Sequence, residues 1–210
     1  MCGVRRDVVA IMIATTWALM SVTGAQQIRP VESNAIVFDS ERAGQPGIFV
    51  MAADGSNVRR VLLTPRGKDS GFPDWSPDRK EIAFASDRHG LWEIYVVGAD
   101  GSGLRRLTRT ATANSGDEPE NDSPDWSPDG KQIAFRSGPY GADHIDVMKA
   151  DGSDRRALTP PTGAGFPAWS PDGLTLAFAR TLVGQRDIYV VDADGSNARP
   201  ITQSPVPTRM

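Results

Sequence analysis

The sequence predicts an all-β chain of about four four-stranded antiparallel units, and three observations carry the prediction. An Asp-Gly pair recurs at Asp54-Gly55, Asp100-Gly101, Asp151-Gly152 and Asp194-Gly195, with spacings of 46, 51 and 43 residues. A Trp-Ser-Pro-Asp element recurs in step, at Trp75, Trp126 and Trp169. The stretch from Ser123 to Thr159 holds three turn signals separating four short apolar runs, and it repeats on both sides. Self-similarity at roughly 40–50 residues, with four strands per repeat, is the mark of β-propeller blades.

The first 25 residues stand apart from the repeats. Arg5 and Arg6 precede an apolar run from Val8 to Met20, and Thr23-Gly24-Ala25 supplies small residues before Gln26, which is the layout of a signal peptide. The run is too short to span a bilayer comfortably as a permanent helix. Residues 1–25 are therefore expected to be cut off on export, leaving residues 26–210 as one repeat domain, periplasmic or secreted, with no stable membrane span. Cleavage removes Arg5, Arg6 and Asp7, so 21 basic face 25 acidic side chains and the net charge moves from −3 to −4. Such a surface does not recruit nucleic acid by bulk electrostatics. The single cysteine, Cys2, leaves with the signal, so the core must be held by packing without disulfides.

The first repeat is incomplete. Ala35 to Phe38 reads as a strand, Gly44 to Gly47 as a turn, Ile48 to Met51 as a second strand and Val58 to Leu63 as a third beyond the Asp54-Gly55 turn, with no Trp-Ser-Pro-Asp element in front. The second repeat, Phe72 to Thr108, is complete, but Asp78-Arg79 stands where the others have Asp129-Gly130 and Asp172-Gly173. A strained turn or a different turn type is expected there. The longest connector, Arg109 to Asp122, leads into the third repeat and ends in a run of acids. The fourth repeat is complete and closes near Thr202. Second strands are predicted near 81–86, 132–137 and 175–180, third strands near 93–98, 144–149 and 187–192, and almost no helix is expected after residue 25.

Stacking the repeats in columns gives the reason for the fold. Ile82, Ile133 and Leu176 share one column, Phe84, Phe135 and Phe178 another, and Ala83, Ala134 and Ala177 lie between them. A strand apolar on both faces must be covered on both, which happens when each blade is packed between two neighbours. The third-strand column repeats this with Ile48, Ile94, Ile145 and Ile188, followed by Phe49, Tyr95, Asp146 and Tyr189, where Asp146 is the exception. Trp75, Trp126 and Trp169 read as blade-to-blade wedges and Gly55, Gly101, Gly152 and Gly195 as turn residues.

These residues carry a family resemblance. PDWSPDGKQIAF followed by DIYVVDADGSNARPIT resembles the TolB-type, WD-like β-propeller repeat, over about residues 34 to 202. The resemblance implies a propeller and leaves the function open, because such repeats occur in periplasmic TolB, in propeller domains of prolyl-oligopeptidase-like and tricorn-like peptidases, and in oligogalacturonide lyases. TolB has an α/β domain before its propeller and usually six blades; neither is read here.

An inventory of catalytic parts points away from an enzyme. There is no G-x-S-x-G elbow. His89 and His144 are too few for a metal cluster of the lyase kind, and His144 reads as a solvent-facing substitution. No catalytic residue, metal ligand or cofactor is expected. The function expected is a non-enzymatic protein-interaction module resembling the propeller part of TolB, with another envelope or secreted protein as partner. The alternative is a propeller binding a saccharide or peptide, or a fragment of a propeller-containing peptidase or lyase. Candidate binding residues are Asp74 and Asp125, each between a proline and a tryptophan, and the acids Asp117, Glu118, Glu120 and Asp122. Competing structural roles for Asp74 and Asp125 are turn capping or pairing with the repeated arginines.

Strand counting bears on closure. Blade one lacks its innermost strand, and neither Gln26 to Val31 nor Gln203 to Arg209 carries the element that would supply it. Four blades of a geometry that normally uses six cover only part of a circle. An open arc is expected, with terminal blades exposing apolar faces and a possibility of self-association through them.

Overall fold

The computed structural model describes residues 34–110, 119–182 and 184–202. The expected signal peptide, the segments 26–31 and 203–209, and the acids Asp117 and Glu118 lie outside the described residues.

Four antiparallel sheets follow one another along the chain. The first has three strands in the order β1 (Ile36–Ser40), β2 (Gly47–Met51) and β3 (Arg59–Leu63), with a 3-10 turn, Arg42–Gly44, between the first two. The second runs β4 (Ser70–Trp75), β5 (Glu81–His89), β6 (Leu91–Gly98) and β7 (Arg105–Arg106). The third runs β8 (Glu120–Trp126), β9 (Gln132–Gly138), β10 (His144–Lys149) and β11 (Arg156–Ala157). The fourth runs β12 (Ala164–Trp169), β13 (Thr175–Leu182), β14 (Gln185–Asp192) and β15 (Arg199–Pro200). The fold is therefore all-β as expected, the first blade lacks an inner strand among the described residues, and the 3-10 turn is the one helical piece there.

The register explains the columns. Ile82 pairs with Val97 and Phe84 with Tyr95 on one face of blade two, while Ala83 pairs with Val96 and Ala85 with Ile94 on the other. Because side chains alternate, each face meets a different neighbour. The first face joins Val37, Ile48 and Val50 of blade one in a cluster with Trp75. The second joins Trp126, Ile133, Phe135 and Met148 of blade three. Ala134, Ile145 and Val147 of blade three then meet Leu176, Phe178 and Val191 of blade four. Every internal junction thus sets a forward column of small and β-branched residues against a backward column of aromatics and long aliphatics. Stacked pairs recur in the backward column, with ring centroids 5.8 Å apart for Phe38–Phe49, 5.6 Å for Phe84–Tyr95 and 5.7 Å for Phe178–Tyr189.

Blade three solves the same packing problem with ions. Asp146, buried where Tyr95 and Tyr189 stand, accepts from Arg155 Nε at 2.7 Å, and the Arg155 guanidinium lies 5.1 Å from the Phe135 ring. The arginine plane replaces the missing tyrosine. His144 is correspondingly not solvent-facing: its Nε2 sits 3.1 Å from Asp146 Oδ1, with only 23% of its side chain exposed. That contact raises the imidazole pKa, and His144 and Arg155 hold the Asp146 carboxyl below its ordinary range against the opposing effect of burial.

The Asp78-Arg79 turn is strained, as its sequence predicts. Arg79 adopts φ +60°, in the region where Gly130 and Gly173 sit at +70° and +71°. The arginine compensates by reaching back one blade: Nη1 donates to the Ala35 carbonyl at 2.9 Å, and the guanidinium lies 5.5 Å from the Trp75 ring. The three repeat tryptophans are wedged between blades, and their buried indole N–H groups have no protein acceptor, so they act as apolar fillers.

Trp126→Ala should cost about 3–5 kcal/mol by opening a cavity between blades two and three. Lys131→Ala, with 79% of its side chain exposed, should leave the chain within about 0.5 kcal/mol of wild type. Urea denaturation of both variants tests this, and equal midpoints would refute the wedge role.

Candidate functional site

The inner strands β4, β8 and β12, with the start of β1, border a cavity of about 230 Å³ lined by Ala35–Val37, Phe72–Trp75, Ser123–Asp125 and Phe166–Ala168. Three of these segments share one local device. The pairing of β4 with β5 slips between Gly71 and Asp74, that of β8 with β9 between Asp122 and Asp125, and that of β12 with β13 between Gly165 and Ala168. At each slip one residue takes a left-handed backbone: Phe72 at φ +54°, Ser123 at +51° and Phe166 at +55°. A bulge re-aims the side chain it carries, and two bulky residues held at positive φ are conformationally costly unless their surroundings fix them.

The consequence is an aromatic cluster. The Phe72 and Phe166 rings meet edge to face at 6.4 Å although they belong to the second and fourth blades, and Trp92 stands 6.4 Å from Phe72. Arg186 lies over Phe166 at 4.8 Å from its centroid, and 43% of Phe166 remains exposed. None of these four residues was a candidate from the sequence. The signal was a column three residues before each repeat tryptophan, occupied by Phe72, Ser123 and Phe166. Only the bulge turns that column into a site.

Asp74 and Asp125 have a role that neither sequence reading gave them. Asp74 Oδ2 accepts from the Trp126 backbone N–H at 2.8 Å, and Asp125 Oδ2 from the Trp169 N–H at 2.7 Å. Each carboxylate reaches from the inner strand of one blade to that of the next. They are thus inter-blade staples as well as cavity-lining acids, and Ala168 supplies no such group in blade four. Burial lifts the pair's titration from the ordinary carboxylate range toward neutrality; for Asp125 the charge of Asp74 adds to it, whereas for Asp74 the Trp126 N–H and Arg79 oppose it.

The remaining acids are structural in their contacts. Arg136 Nε donates to Asp122 Oδ1 at 2.8 Å, its Nη1 to Asp143 at 2.9 Å and its Nη2 to Glu120 at 3.2 Å. Neither Glu120 nor Asp122 is among the residues lining the cavity. A second buried network ties Glu93 to Arg106, Thr108, the Thr110 N–H and Asn121, and through Asn121 Oδ1 to Arg155 at 3.1 Å. These partners keep the Glu93 carboxyl below its usual range although burial acts to raise it. His89 pairs with the Tyr95 hydroxyl at 2.7 Å and is not among the lining residues. Asp194, in a stretch with a superficial likeness to a calcium loop, accepts from the Ser196 N–H at 2.8 Å, and Asp54, Asp100 and Asp151 make the same turn bond.

Residues 64–165 match the family model of the TolB beta propeller domain. Residues 64–165 are TolB-type β-propeller repeats. Solved structures share the fold. The putative TolB from Agrobacterium tumefaciens is 26% identical, with a TM-score of 0.67 over 80% of this chain and 61% of that one. TolB from Acinetobacter baumannii is 22% identical, with a TM-score of 0.66 over 82% of this chain and 42% of that one. An oligogalacturonate lyase in complex with manganese, 13% identical with a TM-score of 0.62 over 81% of this chain and 50% of that one, shares the fold. The chain thus spans less than two thirds of the length of each of these proteins. No curated protein matches it.

The raised pair fixes a pH dependence. Folded Asp74 and Asp125 hold protons that the unfolded chain releases near pH 4, so folding loses stability as pH rises from about 4 toward 7. His144, whose pKa is also raised, contributes in the same direction, so a comparison must isolate the pair. Asp125→Asn keeps an acceptor for the Trp169 N–H without the charge. Its melting temperature relative to wild type should therefore increase with pH, and parallel curves would refute the assignment.

Proposed function

We propose that the chain is an exported, non-enzymatic interaction module that receives a segment of another envelope or secreted protein at the aromatic mouth of its central cavity. The observation that carries this reading is the Phe72–Phe166 pair, held in strained backbone and topped by Arg186. Strain of this kind persists where a defined surface is needed. An exposed ring, Phe166, backed by the half-buried Phe72 and beside a guanidinium suits peptide recognition, since ring faces and a cation bury area with little loss of side-chain entropy. The acids lining the cavity are committed to inter-blade hydrogen bonds, which favours a scaffold over acid–base work. Export rests on the arrangement of residues 1–25 and on the resemblance to TolB.

A saccharide is the second reading, because an aromatic ring next to an arginine also suits a sugar face. Phe166→Ser separates the two from a folding defect, since Ser123 occupies the same bulge at nearly the same φ. Wild-type chain immobilised against envelope extract should retain a specific protein that Phe166→Ser loses, with glycan arrays blank. Glycan binding without protein capture would favour the saccharide, and capture unchanged by Phe166→Ser would remove the cavity mouth from the interface.

A further inference from the structure

The junction between two blades has a donor half and an acceptor half, and among the described residues one half of each kind is left open. The forward column of blade four, Ala177, Ala179, Ile188 and Val190, repeats the columns that are buried in blades two and three. Ile188 is 38% exposed, whereas Ile94 and Ile145 in the same column are 0% exposed. Ile201, in the place of Leu158, is 57% exposed against 6%. On the other side, the backward column of blade one is formed by Ile36, Phe38, Phe49 and Met51. Ile36, Phe38 and Met51 are half-buried, whereas Ile82, Phe84 and Val97 in blade two are fully buried. Phe49 stays buried, with the Arg42 guanidinium 5.5 Å from its ring.

Three smaller features mark the same two halves. Gly101, Gly152 and Gly195 each pack so closely on a carbonyl of the preceding blade that a Cβ would stand 2.6, 3.2 and 3.1 Å from it, whereas Gly55 of blade one has nothing within 4 Å. Arg105 Nη2 reaches the Ala150 carbonyl at 3.5 Å and Arg156 Nη2 the Ala193 carbonyl at 2.8 Å. Arg199 occupies the same register position in blade four, opposite Val190, and the matching carbonyl is that of Ala53 in blade one. Finally, the carboxylate that staples a blade to the next tryptophan is replaced by Ala168 in blade four, and the described part of blade one has no Trp-Ser-Pro-Asp element to be stapled. The half that lacks the acid matches the half that lacks its target.

We infer that the forward face of blade four binds the backward face of blade one of a second copy, head to tail, reproducing the junction found three times within the chain. The contact is heterologous: after each association one face of each kind is still free, so copies add on unless the rotation closes a ring. The driving force is burial of the two apolar columns, with Arg199 supplying the polar contact at the rim.

Two variants of the full chain test the inference, Ile188→Asp on the donor face and Phe38→Asp on the acceptor face. Light scattering coupled to gel filtration should give wild-type masses above the monomer that rise with concentration, and each variant alone should remain monomeric. An equimolar mixture should form a species of twice the monomer mass and stop there, since only one intact face of each kind remains. Thermal melts check folding, and Met51→Arg, on the same face, replaces Phe38→Asp if that variant melts early. A monomeric wild type at all concentrations overturns the inference, as does a folded variant that self-associates like wild type. Folded variants that fail to pair when mixed overturn it as well.

Discussion

The structure depends on one constraint: strands apolar on both faces must be covered on both. Ala83 and Phe84, adjacent in β5, are each fully buried, but in different clusters, one against blade three and the other against blade one. A single sheet cannot satisfy that, and a stack of sheets can. Everything specific to the repeat serves the stack. Tryptophan fills the wedge-shaped gap, the aromatic pair fills the backward face, and the small forward column lets the next blade approach. Where the aromatic is absent, at Asp146, an arginine plane and an ion pair restore the same volume at the cost of burying charge.

The inner strands add direction to this packing. A carboxylate two residues past the bulge residue points at the backbone of the next blade, so Asp74 and Asp125 orient successive blades while lining the cavity. The bulge that makes this possible also throws Phe72 and Phe166 toward each other over an intervening blade whose own bulge carries Ser123. The small residue in the middle gives the two rings room to meet. Stapling and surface presentation are therefore two outputs of one backbone irregularity.

Most of the architecture was legible in the sequence because its signals are local and repeated. Asp-Gly turns, period-two alternation and the Trp-Ser-Pro-Asp element place the second and third strands to within a few residues, and Arg79 in a glycine position announced its own strain. The candidate site was less legible because its parts are long-range. That Asp74 bonds Trp126, 52 residues on, and that Phe72 touches Phe166 follow from the angle between blades, which no window of sequence contains. His144 was misread for a related reason: its column in other repeats holds Gly47, Glu93 and Asp187, and only the neighbouring Asp146, unique to blade three, draws it inward.

Ala168 carries a consequence for motion. A stack in which each unit touches only its neighbours opens from its ends, and the free energy of opening an end unit is set by the single junction that holds it. Blade four is held on one side by Asp125 and the third apolar cluster and on the other by nothing among the described residues. Its strands β12 to β15 therefore form a cooperative unit less protected than blades two and three. Their amides should exchange with solvent through a partial opening that leaves blades two and three closed.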